Sequence, residues 1–182
     1  MLELGTRAPD FALPEPVSGR RVQRTDYIDQ PLLVVFSCNH CPYVLHILES
    51  FTEFANHTHD LAVVMINAND VARYPDDSPE KMIELATRYG FDFPYLYDEL
   101  QQVAIAYRAA CTPDFFLFDQ NHYLVYRGQY DAARPGNSAP VNGVGLKTAV
   151  DALLQGIEIS STQTPSMGCN IKWRTGHEPD YF

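Results

Sequence analysis

Two cysteines stand two residues apart in Ser37-Cys38-Asn39-His40-Cys41-Pro42, directly after the apolar run Leu32-Leu33-Val34-Val35-Phe36. Thiols at this spacing can close a disulfide or supply half of a zinc site. The apolar run reads as a buried strand and the residues after Pro42 as a helix, so the pair falls at a strand-to-helix junction. A helix N-terminus offers unpaired N–H groups and partial positive charge, both of which favour a thiolate. The thiolate is the nucleophile of disulfide exchange.

The expected geometry puts Cys38 at or just before the helix N-cap, its sulfur accepting from the N–H groups of His40 and Cys41. Cys41 then lies one turn inside, which makes Cys38 the attacking sulfur and Cys41 the resolving one. A protonated His40 beside the sulfur would hold the thiolate further and make the disulfide more oxidising than that of a Gly-Pro motif. Pro42 lacks the N–H that would bond the Cys38 carbonyl, so either the helix begins effectively at Cys41 or the proline sits in an ordinary first turn. Zinc takes about four ligands, and no second cysteine pair is present to complete a site. No metal and no bound cofactor are expected.

The elements that must hold this motif follow from periodicity and stop signals. Val44, Leu48, Phe51 and Ala55 fall on one helical face running to about His57. Leu61 to Ile66 reads as a second strand, ending in the polar loop Asn67-Ala68-Asn69-Asp70, and Asp76-Asp77 reads as loop surface. Ser78-Pro79 starts a helix that carries Met82, Ala86 and Tyr89 to about Gly90. A short strand over Phe93 to Tyr97 precedes a helix capped by Asp98, with Leu100, Val103, Ala104 and Tyr107 on one face. Phe115 to Phe118 and Tyr123 to Tyr126 form a hairpin, and Leu146 to Leu154 a last helix. Residues 1–30 read as an N-terminal hairpin extension and 157–182 as a non-helical tail in which Trp173 is a packing anchor. Strands alternating with helices predict an α/β fold in a single domain over 1–182, a central mixed sheet with helices on both faces.

Composition narrows the partners. With 13 basic and 23 acidic residues among 182 the net charge is −10, which repels nucleic acid and anionic membranes. The start, Met1 to Pro9, has no basic-then-apolar leader and no run nears the ~18 apolar residues of a membrane span, so a cytoplasmic protein is expected.

Cys38-Asn39-His40-Cys41, together with Cys111-Thr112-Pro113-Asp114-Phe115-Phe116-Leu117-Phe118-Asp119, resembles the thioredoxin superfamily. The opening Gly5-Thr6-Arg7-Ala8-Pro9-Asp10-Phe11-Ala12-Leu13-Pro14 is similar to its redoxin branch, the thiol-specific antioxidant and thioredoxin-like reductase relatives. The resemblance implies a thioredoxin fold in which a cis Thr112-Pro113 turn faces the dithiol and docks substrate. Three departures stand out. Leu32 occupies the place, six residues before Cys38, of the buried carboxylate that accepts the resolving thiol's proton, leaving Glu49, His46 or water to serve. The His40 dipeptide residue resembles the disulfide isomerases and oxidases. Cys41-Pro42 matches the reactive Cys-Pro of the peroxidase branch, but Cys38 replaces its threonine and Arg127 is the nearest candidate for its arginine. If the turn faces the dithiol, Cys111 is close to it, and the tail could bring Cys169 over the site; both are candidate auxiliary thiols or simply small packed side chains.

These readings lead to a thiol-disulfide oxidoreductase acting on a protein or small-molecule disulfide and reset by an external thiol reductant. The alternatives are a peroxiredoxin-like thiol peroxidase using Cys41 or Cys38 on a peroxide, and a non-enzymatic redox-sensing module.

Overall fold

The apolar run before the motif forms the central strand of a five-stranded sheet. A computed structural model of the chain describes residues 2–181, so residues 1 and 182 of the expected terminal segments lie outside it. The elements in order are β1 (Ala12–Pro14), β2 (Arg21–Gln23), β3 (Leu32–Ser37), α1 (Pro42–His57), β4 (Ala62–Asn67) and α2 (Pro79–Tyr89). Then come β5 (Tyr95–Tyr97), α3 (Gln102–Ala106), β6 (Cys111–Thr112), β7 (Asp114–Phe118), β8 (Leu124–Gly128), α4 (Val144–Leu154) and β9 (Cys169–Asn170).

The sheet runs β5-β4-β3-β7-β8, and β1-β2 and β6-β9 form two small pairs. Strand β3 pairs in parallel with β4, from Leu32↔Ala62 to Ser37↔Asn67, and antiparallel with β7, from Leu32↔Phe118 to Phe36↔Asp114. This register brings three chain segments to one rim. Cys38 leaves the end of β3, Asn67 to Asp70 leave the end of β4, and Pro113 enters β7. The mixed order is that of the thioredoxin fold.

Every residue of β3 is buried, so its alternating side chains fill two different cores. Leu33 and Val35 join α1, α2 and α4 through Val44, Leu48, Phe51, Met82, Leu146 and Val150. Leu32, Val34 and Phe36 join the other core, which the short α3, the β1-β2 hairpin and the tail residues Ile171 and Trp173 cover. Phe51 illustrates the energetics: its ring meets Phe93, Phe115 and Tyr130 within 6.0 Å, and truncating a phenylalanine so placed costs about 3–5 kcal/mol.

Local signals place most ends. Ser78 caps α2 by accepting from the Lys81 N–H at 3.4 Å, Pro79 takes the first helical position, and Gly90 ends the helix at φ 68°. Two expected elements are shorter, β5 and α3. Asp98 does not cap α3, whose N-cap is Gln101 at φ 61°; it instead accepts from the Ala104 N–H at 2.8 Å. The tail is non-helical as expected but carries β9, a pairing too short to have a sequence period. Among the described residues no helix is long and apolar enough to cross a membrane.

Candidate functional site

Pro42 decides where the first helix begins. It sits at the first helical position, so Cys41 is the N-cap and the Leu45 N–H closes the first turn on the Cys41 carbonyl at 3.0 Å. The expectation that Cys38 flanks the N-cap, with Cys41 one turn inside, is therefore corrected: Cys41 caps and Cys38 precedes it by three residues. Cys38 accepts from no N–H of His40 or Cys41; its sulfur instead lies 3.4 Å from Thr112 Oγ1. Neither sulfur is open to solvent, Cys38 being 1% and Cys41 0% exposed. Both thiols are free in this structure.

The peptide bond Thr112-Pro113 is cis, and the turn it forms faces the dithiol as the resemblance implied. The Thr112 carbonyl lies 3.2 Å from the Cys41 sulfur and takes its hydrogen bond when that sulfur is protonated. The two cysteines share a proton unequally. The Cys41 thiol is brought down to about 4, first by the S–H of Cys38, then by the S–H of Cys169 and the N–H groups of Val44 and Cys169, with burial opposing them. No cap bond of ordinary geometry forms there, so the Val44 N–H acts through its dipole at the start of α1. The Cys38 thiol is pushed well up, first by its bond to Cys41, then by burial and the negative charge of Asp77. The resting negative charge thus sits on Cys41 rather than Cys38.

Asp77, read from the sequence as loop surface, is buried beside Cys38. It stands at the end of a single turn of tight helix, Pro75–Asp77, just before α2. One carboxylate oxygen accepts from the Asn39 N–H at 2.7 Å and the other from Asn69 Nδ2 at 2.7 Å, while Asn67 Nδ2 donates to its carbonyl at 2.8 Å. His40 Nδ1 lies 2.8 Å from the same carboxylate. The side chain of Asn39 fixes the motif from above, donating to the Asp76 carbonyl at 2.9 Å and accepting from the Tyr95 hydroxyl at 2.9 Å. A buried charge persists only when hydrogen-bonded in this way. The ligating atoms of Cys38, His40 and Asp77 lie within 4.8 Å of one another. A thiol, an imidazole and a carboxylate are thus gathered at one place. The same three donors could face a cation, but the carboxylate oxygens are already engaged and the set is one ligand short of a tetrahedral site.

Leu32 faces the second core, and the acceptors expected in its stead, Glu49 and His46, are exposed on the outer side of α1. Arg127 is likewise not at the thiols. Its guanidinium pairs with Asp114 at 3.1 Å, donates to the Arg108 carbonyl at 2.9 Å and lies 4.7 Å from the Phe116 ring centroid. Cys111 is buried, donates to the Pro113 carbonyl at 3.6 Å and is held protonated by burial and then by the charge of Asp114. Cys169 is half-buried against the core that holds both motif cysteines, opposite Thr112 in the β6-β9 register. The sequence signals for Asp77 were the acidic pair before a helix start and the Asn-rich end of β4; neither reveals burial alone.

A hypothetical protein from Sinorhizobium meliloti 1021 is 48% identical, with 97% of each chain covered and a TM-score of 0.94. An uncharacterized conserved protein from Geobacillus kaustophilus is 47% identical, covering 96% of this chain and 94% of its own, at TM-score 0.92. More distant in sequence, a putative thiol:disulfide interchange protein DsbE from Chlorobium tepidum shares the fold at 20% identity and TM-score 0.65, over 85% of this chain and 99% of its own. Among curated proteins no match is found. Residues 4–127, from the segment before β1 through most of β8, match the AhpC/TSA family, and the chain belongs to it.

Proposed function

We propose that the protein is a thiol-disulfide oxidoreductase in which Cys38 attacks and Cys41 resolves. The observation that carries this reading is the pair of thiols sharing one proton against the cis Thr112-Pro113 turn, with the His40-Asp77 pair beside Cys38. Cys38 is the sulfur whose proton must leave, and the His40-Asp77 pair stands beside it to take that proton. Its thiolate attacks a substrate disulfide, a mixed disulfide forms and one substrate thiolate departs. Cys41 rests as a thiolate; when Cys38 is consumed it loses its largest donor and keeps the Cys169 S–H and the N–H groups of Val44 and Cys169. It attacks the Cys38 sulfur, closes the Cys38–Cys41 disulfide and expels the second substrate thiolate. An external thiol reductant restores both thiols. Cys41, already deprotonated, resolves without the carboxylate that Leu32 replaces. A thiol held low in the reduced state makes its disulfide more oxidising.

One observation favours a second reading. Cys41, with Pro42 at the helix start and its thiol at about 4, has the form of a peroxide-reducing cysteine. Against it, Arg127, the candidate to polarise peroxide, is engaged with Asp114. Insulin reduction and peroxide consumption measured on one preparation, with Cys38→Ser and Cys41→Ser, test the assignment. The dithiol reading expects insulin turnover abolished in both variants; peroxide turnover that survives Cys38→Ser and exceeds insulin turnover would replace it with the second reading, and turnover of neither substrate would leave a sensing module.

A further inference from the structure

The edge at which a substrate strand would dock is filled by the chain's own tail. Residues 163–166 first run along the outer strand β8: the Arg127 N–H donates to Gln163 Oε1 at 2.8 Å, the Gln129 N–H to the Thr164 carbonyl at 2.9 Å and Ser166 Oγ to the Gly128 carbonyl at 2.8 Å. The tail then crosses the cis turn as β9, with Cys169 opposite Thr112 and Asn170 opposite Cys111. Beyond it, Lys172 is gripped by Asn69, whose side chain accepts its N–H at 2.8 Å while also holding Asp77, and Ile171 and Trp173 enter the second core.

The crossing is close enough to exclude a side chain. A Cβ on Gly168 would lie 2.0 Å from the Thr112 carbonyl oxygen, the same atom that sits 3.2 Å from the Cys41 sulfur. Only glycine lets the tail backbone reach this depth. The next residue is Cys169, packed against the core containing Cys38 and Cys41. We propose that Cys169 is a third redox thiol, seated by the tail strand to take Cys41 into a second intramolecular disulfide.

This rests on the oxidoreductase reading and extends it by one exchange. The Cys169 sulfur attacks Cys41 in the Cys38–Cys41 disulfide; the Cys41–Cys169 bond forms, the Cys38–Cys41 bond breaks, and the proton lost by Cys169 is delivered to the departing Cys38 sulfur beside His40 and Asp77. The oxidation level is unchanged, and Cys38 returns to the thiol while Cys41 stays oxidised. An external thiol reductant then opens Cys41–Cys169. The Cys169 thiol stands at about 11, raised by burial and then by the Cys41 sulfur, with Lys172 opposing. Once Cys41 is bound in a disulfide its contribution disappears. Cys111 has no such path, since its sulfur is turned to the Pro113 carbonyl.

Peptide mapping tests the proposal. Trypsin leaves Cys38 and Cys41 together in peptide 25–73, Cys111 in 109–127 and Cys169 in 148–172. The full chain is oxidised with diamide, alkylated in denaturant and digested without reductant. The expected product is 25–73 joined to 148–172 with Cys38 alkylated, and the link persists in Cys38→Ser. Gly168→Val, which displaces the tail, should lower the link about tenfold while the Cys38–Cys41 disulfide still forms. Cys169 found fully alkylated beside an intact Cys38–Cys41 disulfide overturns the proposal, as does a link from 148–172 to 109–127 at equal yield. Wild-type insulin turnover, read separately, reports on the oxidoreductase reading and not on this link.

Discussion

Replacing Asp77 by asparagine keeps the shape of the side chain and removes the charge next to Cys38. The carboxylate is 0% exposed, accepts two 2.7 Å hydrogen bonds from Asn39 and Asn69 and lies 2.8 Å from His40 Nδ1. In Asp77→Asn the amide oxygen can serve one side, and the amide nitrogen then faces another donor. Losing one charge-assisted bond and burying a mismatched donor should destabilise the protein by about 2–4 kcal/mol. The chemistry should change in two opposite senses. The Asp77 charge is among the causes that push the Cys38 thiol up, so its removal moves the pH midpoint of Cys38 alkylation to lower pH. The His40 base, no longer oriented, should lower insulin turnover at neutral pH by about 10²-fold, the low end of what general-base catalysis contributes. Iodoacetamide alkylation resolved by residue with mass spectrometry, beside an insulin assay at matched folded fraction, reads both. An unmoved Cys38 midpoint with turnover falling only as far as the folded fraction would refute the positioning role of Asp77 and leave it a structural carboxylate.

Other perturbations separate the remaining interactions. Gly168→Ala should raise the alkylation rate of Cys41 about tenfold by lifting the tail off the Thr112 carbonyl, with a modest fall in Tm; protection of Cys41 unchanged from wild type would contradict the tail's covering role. The reduced protein should become more stable with rising pH between about 4 and 9 relative to Cys41→Ser, because the native Cys41 thiol, lowered to about 4, binds fewer protons than its unfolded form near 9. That contribution is lost as pH falls toward 4, and parallel stability curves for the two proteins would refute it. Arg127→Met strands Asp114 in the core and should cost about 3–5 kcal/mol by urea unfolding, leaving the alkylation rate of Cys41 unchanged.

The motif was legible as a local signal, two cysteines after an apolar run, whereas the turn facing it was legible only through the resemblance of Cys111-Thr112-Pro113 to thioredoxins. The parallel β3-β4 pair and antiparallel β7 then carry Cys38 and Pro113 to one rim. The helix start was displaced because proline, lacking an N–H, fits the first helical position best, which hands the N-cap to Cys41 rather than to Cys38. Asp77 was not legible at all. An aspartate in a polar loop has a solvated surface by default, and only the convergence of Asn39, Asn67 and Asn69 from two other strand ends makes its burial tolerable. The tail was read as non-helical, which it is, but its strand pairing was not legible. Its two paired residues have no period, and its attachment runs through the side chains of Gln101 and Asn69, far away in the chain, and from its own Ser166 to the Gly128 carbonyl. Leu32 enters the second core, and a sequence cannot say that Glu49 and His46, the acceptors expected in its stead, lie on the outer side of α1.

The central claim is that Cys38 and Cys41 form one reversible redox centre whose disulfide is more oxidising than that of thioredoxin. Equilibrating the protein in graded mixtures of reduced and oxidised glutathione, and counting free Cys38 and Cys41 thiols at each potential, tests it directly. With Cys169 replaced by serine, so that only the motif thiols can pair, the account predicts a single two-electron transition at a potential above that of thioredoxin, about −270 mV, absent when either Cys38 or Cys41 is also serine. A transition at or below that value, or no disulfide joining the two residues at any potential, would contradict it.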